Sequence, residues 1–120
     1  MLRISERRDL LAIYKNEMLS AKANASGGLG LIYSDKGDLD QALKYLQDAL
    51  KIDKEIGYRQ GEANQLGNIG LIYRAKGDLD QALKYLKEAL EVLDRFNLIY
   101  GIDIIVNAIR QLETEDTSET

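Results

Sequence analysis

Eleven residues, KGDLDQALKYL, run from Lys36 to Leu46 and recur letter for letter from Lys76 to Leu86. The likeness continues on both sides. GLIY precedes each copy (Gly30 to Tyr33, Gly70 to Tyr73) and Ala-Leu follows each (Ala49-Leu50, Ala89-Leu90), all at an offset of 40 residues. Self-similarity at such a period marks a repeat array, in which one supersecondary unit stacks on its own copy to bury a face it cannot bury alone. That constraint bears on architecture first and on chemistry only through the surface the array leaves free.

The composition fits helices. The chain has 120 residues and no proline, so one domain is expected and the commonest helix breaker is missing. It also has no cysteine and no histidine. Disulfides, thiolate chemistry and the commonest metal ligand and general base are therefore excluded, and neither a cofactor nor a metal is expected. A net charge of −4 argues against an extended basic surface for nucleic acid. No apolar run approaches the roughly 18 residues of a membrane span. The N-terminus, charged from Arg3 onward, does not read as a secretory leader, which makes the cytoplasm the expected location.

Taken in order, Leu10, Ile13, Tyr14 and Met18 set a helical stripe over residues 2–19, with Ser5 or Asp9 as its cap. A second helix over 21–36 carries Gly27, Gly28 and Gly30, each costing up to ~1 kcal/mol in a helix interior, and ends at Gly37. Close helix packing is the plain explanation for those glycines. The sharper one is room at Gly27 and Gly28 for a bound chain. Asp38 caps a third helix that buries Leu39, Ala42, Leu43, Leu46 and Ala49, with Gln41 placed to reach back to the cap amide. The plan repeats with a helix over 61–76 ending at Gly77 and another from Asp78 to a left-handed Asn97. A sixth helix over 100–112 places Ile102, Ile105, Val106, Ile109 and Leu112 on one side. ETEDTSET, residues 113–120, reads as an acidic disordered tail.

These residues resemble the long variant of the tetratricopeptide repeat, with a period of about forty. The signature positions are Gly30, Tyr33, Gly37, Ala42, Leu46 and Ala49 in one unit, and Gly70, Tyr73, Gly77, Ala82, Leu86 and Ala89 in the next. Leu66 fills the bulky position ahead of Gly70, whereas Ser26 stands there in the first unit. The resemblance implies an all-α fold, a right-handed superhelix of antiparallel helix pairs. It would form a single solenoid-like domain over 1–112, with a partial unit over 1–20, repeats over 21–60 and 61–100, and a capping helix over 100–112.

In that family the first helix of each unit lines a concave groove that binds an extended peptide or a partner helix. By position the groove here would hold Asn24, Gly28 and Leu31, then Asn64, Asn68, Leu71 and Arg74, then Asn107. The asparagines are the pointed candidates, because an amide both donates and accepts and can clamp a bound backbone. As solvated residues on an exposed helix face they would do nothing. Arg74 could take a carboxylate or pair with a nearby acid. Gly27 and Gly67 stand where the family's clamp for a C-terminal carboxylate wants a basic residue, which argues against that ligand. The pairs Asp38/Asp40 and Asp78/Asp80 lie at helix starts, where free amides favour negative charge, so capping accounts for them. The expected function is a non-enzymatic protein-interaction module. The alternative is a self-assembling scaffold in which the first two helices run together as one and exchange between subunits.

Overall fold

The computed structural model describes residues 1–118, with side chains through Glu115. Five helices follow one another: α1 Ile4–Asp35, α2 Leu39–Ile56, α3 Arg59–Ala75, α4 Leu79–Arg95 and α5 Ile102–Ser118. The fold is all-α, a superhelical solenoid in which α1 packs on α2, α2 on α3, α3 on α4 and α4 on α5. It is elongated, 70 × 32 × 17 Å, because the N-terminal half of α1 projects beyond the rest.

Five helices stand where six were expected, because the first two are continuous. The cause lies in the punctuation. Every junction that breaks carries a residue at positive φ: Gly37 (82°), Gly57 (74°), Gly77 (84°), Asn97 (54°) and Gly101 (87°). Around Ser20 the sequence is LSAKA, which offers no left-handed residue and no proline, so the backbone has no reason to turn. Residues 4–20 thus form the first part of α1 and not a helix of their own. The start of α1 is Arg3, whose amide donates to Glu6 Oε2 at 3.3 Å, and not Ser5 or Asp9. Gly27, Gly28 and Gly30 stay helical because α2 lies against this part of α1.

The two repeated segments build two equivalent hairpins. In the first, a Cβ at Gly30 would stand 2.7 Å from Leu46 Cγ; in the second, one at Gly70 would stand 2.8 Å from Leu86 Cγ. Only glycine lets these helices approach so closely. Tyr33 stacks on Tyr45 at 5.4 Å between ring centroids, and Tyr73 on Tyr85 at 5.5 Å. Both caps use the same bond: the Gln41 amide donates to Asp38 Oδ1 (3.2 Å) and the Gln81 amide to Asp78 Oδ1 (3.1 Å). The Asp38 and Asp78 amides already donate to the carbonyls of Tyr33 and Tyr73, which leaves nothing for the glutamine side chains to satisfy. The core gathers Ala42, Leu43, Leu46, Ile69 and Ile72 between α2 and α3, and Leu66, Leu86, Leu93, Ile109 and Leu112 farther along.

α5 continues past Leu112 to Ser118, so most of the stretch expected as a tail is helical. Two of its carboxylates have partners on earlier helices: Glu113 with Lys87 (3.5 Å) and Glu115 with Arg74 (2.8 Å). Residues 119 and 120 lie outside the described residues.

Candidate functional site

The first helices of the successive hairpins meet side by side along one face. A Cβ at Gly27 of α1 would stand 3.0 Å from Gln65 Nε2 of α3, and one at Gly67 of α3 would stand 2.7 Å from Ile105 Cδ1 of α5. These glycines therefore admit the next helix of the row, and Gly27 is not an opening for a ligand. At Gly28 nothing lies within 4 Å of the position a Cβ would take. Asn24 and Leu31 are exposed beside it on α1.

Between α3 and α5 the face deepens into a cleft of about 250 Å³. One wall is Asn64, Asn68 and Leu71 of α3; the other is Tyr100, Gly101 and Ile104 at the head of α5. The apolar floor is Ala63, Gly67, Leu93 and Ile105. Helical spacing places Asn64, Asn68 and Leu71 on one surface, and the structure brings them together. Tyr100, 74% exposed, was missed. It lies in the turn between α4 and α5, where helical periodicity carries no signal, and only the left-handed Gly101 after it brings it to the rim.

Polar groups are arranged in layers here. Gln60 Nε2 donates to Asn64 Oδ1 (3.1 Å) and to the Tyr100 carbonyl (3.3 Å). It thereby ties the two walls and fixes the Asn64 amide with its NH2 group free to donate. Asn68 is half-buried, while Asn107 is exposed on α5 outside this cleft. Arg74 is occupied. Its guanidinium donates to Gln111 Oε1 (3.1 Å) and to Glu115 Oε1 (2.8 Å), bracing α3 against α5. Of the two roles open to Arg74, the structure has it pairing with a nearby acid.

A second polar cluster sits at the junction of α2 and α3. Asp53 is 3% exposed and accepts a long hydrogen bond from Gln65 Nε2 (3.4 Å). Burial pushes its carboxyl above the ordinary 3.8, the Gln65 bond opposes that rise, and the charge of Glu62 adds to it. Glu62 is itself held by Arg59 at 2.9 Å, and the Arg59 guanidinium lies 4.8 Å from the Phe96 ring. Gln65 Oε1 is buried without a hydrogen-bond partner. At the other end of the repeats Lys76 pairs with Asp40, which raises the lysine's affinity for its proton. No described helix is long and apolar enough to cross a membrane.

Comparison with known proteins bears on the whole array. A model of the family described as tetratricopeptide repeat matches residues 21–95. Among solved structures, the crystal structure of BtubC (BKLC) from P. vanneervenii is similar at a TM-score of 0.69 with 23% identity, over 78% of this chain. The chain spans about 39% of the length of that protein, and at this identity the likeness concerns the fold. No curated protein matches significantly.

Proposed function

Because the chain belongs to the tetratricopeptide repeat family, whose repeats are generally protein-interaction modules, we propose that it is a non-enzymatic module that holds an extended peptide or partner helix in the cleft between α3 and α5. The observation that carries this reading is the pairing of an apolar floor with amides at the rim. Ala63, Gly67, Leu93 and Ile105 offer dry contact, and Asn64 and Asn68 can donate to and accept from a bound backbone at the same time. The Gln60 bonds support it further, since an amide already held by a neighbour loses less side-chain entropy on binding. Asn24 and Leu31 would extend the track along α1, and Asn107 along α5. Arg74 acts in this reading as a brace for the groove and not as a ligand contact.

The test is selection of dodecamer peptides from a random display library on immobilised protein, followed by fluorescence anisotropy with the selected peptides. Replacing Asn64, Asn68 and Leu71 together by alanine is expected to weaken binding by at least about tenfold, as loss of two backbone clamps and an apolar wall requires. Retained affinity in the triple variant would place the binding elsewhere.

A further inference from the structure

The hairpins are alike except on one side. In the second, Ile69 (0% exposed) and Ile72 (4%) lie under α2 with Leu43 and Leu46. The positions 40 residues earlier are Leu29 (40% exposed) and Ile32 (50%). The back of α1 is the same apolar surface that α2 covers on α3, and among the described residues nothing covers it. We propose that a second copy of this chain covers it, by laying the N-terminal half of its own α1 antiparallel along this one.

The sequence of α1 contains both halves of that contact. Leu11, Tyr14, Met18, Ala21, Ala25 and Gly28 alternate in steps of three and four, the spacing of a coiled-coil seam. All six are exposed. The seam runs along the far side of α1 from Gly30 and Gly27, which face α2 and α3. A partner on the seam therefore does not collide with the repeats. The residues are large in the N-terminal half and small in the C-terminal half. A parallel pair would set Tyr14 against Tyr14 and Ala25 against Ala25, too wide at one end and empty at the other. An antiparallel pair sets Leu11 against Gly28, Tyr14 against Ala25 and Met18 against Ala21, twice over by two-fold symmetry, at one constant helix separation. It also preserves the alternation of the array, since α2 and α3 are successive helices of a solenoid and run in opposite directions. The partner's residues 4–18 would then occupy on α1 the place that α2 occupies on α3. In this register Lys15 would lie beside Lys22 of the other copy, with Arg7 opposite Ile32 and Ile4 opposite Asp35 at the ends of the overlap, and these are its unfavourable pairings.

Gel filtration with light scattering at about 0.1 mM, a concentration at which a weak homodimer is populated, is expected to give twice the 13.5 kDa chain mass. Tyr14→Lys with Met18→Lys is expected to return one chain mass with helicity retained, as both residues are exposed in the monomer. Ala25→Glu, on the other half of the seam, is expected to do the same. The absence of native cysteine makes the direction readable. A Tyr14→Cys chain mixed with an Ala25→Cys chain is expected to form a mixed disulfide on oxidation, while neither chain crosslinks alone. Lys22→Glu is expected to lower the dimer Kd, since the introduced carboxylate would then face Lys15 of the other copy. A single-chain mass at that concentration overturns the proposal, as does a dimer that survives the lysine and glutamate variants. Crosslinking of either cysteine variant with itself overturns it too, as does a Kd raised by Lys22→Glu, because Glu17 facing Lys22 would mark a parallel pair.

Discussion

The two hairpins share eleven identical consecutive residues, the same stacked tyrosines and the same glycine-leucine contact, yet they are not equally buried. Around Gly70, α3 has α2 behind, α4 beside and α5 along the inner face. Around Gly30, α1 has α2 beside it and α3 along the inner face, and its back is open to water. The lesson is that a repeat's sequence specifies the hairpin, whereas its position in the array specifies what each outer residue contributes. Equal residues at equivalent positions should therefore respond unequally to the same substitution.

The sharpest way to break this comparison is to make one change twice. Ile72→Ala removes side-chain volume from a buried site against α2 and is expected to destabilise by about 2 to 4 kcal/mol. Ile32→Ala removes the same atoms from a half-exposed site and is expected to cost under about 0.5 kcal/mol in dilute solution. Urea titration with far-ultraviolet circular dichroism reads both. Equal losses would show that the back of α1 is covered even in dilute solution, and a loss for Ile32→Ala that grows with protein concentration would point to the paired α1 seam.

Next in size come the glycines, where the hairpins should agree with each other and disagree with an open neighbour. A Cβ at Gly30 would meet the Ala42 carbonyl at 3.2 Å as well as Leu46, and one at Gly70 the Ala82 carbonyl at 3.1 Å as well as Leu86. A backbone carbonyl in a packed helix yields little. Gly30→Ala and Gly70→Ala are each expected to destabilise by about 1 to 3 kcal/mol through overpacking. At Gly28 the added methyl has open space and the backbone is helical, so Gly28→Ala is expected to stabilise by about 0.5 to 1 kcal/mol. The midpoint of thermal unfolding should move down for the first two and up for the third. A gain at Gly30 would mean that α1 and α2 are not held as close as the structure has them.

How much of this was legible beforehand follows from the same distinction. Gly30, Tyr33, Ala42 and Leu46 could be read together because a repeated string shows both the period and the positions that vary least between its copies, and the left-handed stops at Gly37, Gly77 and Asn97 could be read from chemistry alone. Asn64, Asn68 and Leu71 could be grouped from helical spacing. The continuity of α1 was harder, since it depends on what is missing near Ser20. The helical extension of α5 depends on carboxylates finding Lys87 and Arg74 some 26 and 41 residues away in sequence, a distance no local pattern spans. Tyr100 joined the cleft through a turn, and Gly27 proved to be a helix contact because Gln65 happens to meet it.

The smallest expected effect tests a difference the copies carry in their own sequence, at the seam between them. Asp53 follows the first hairpin's repeated segment at a position where the second has Leu93, and its carboxylate lies buried next to Glu62 and the unpartnered Gln65 Oε1. Its folded-state affinity for a proton is raised, so the folded protein binds more protons than the unfolded chain in that window. Ionising Asp53 therefore works against folding, and stability from this group falls as pH rises from 3.8 through the raised value. Asp53→Asn removes the desolvated charge and offers Gln65 Oε1 a donor, as the protonated acid would. It is expected to raise the thermal midpoint at pH 7 slightly, with the gain vanishing below the ordinary aspartate range, where the native residue is neutral in both states. A gain independent of pH would show that ionisation of Asp53 is not its source, and a loss at pH 7 would mean that the carboxylate, through Gln65, holds α2 to α3 more firmly than burial strains it.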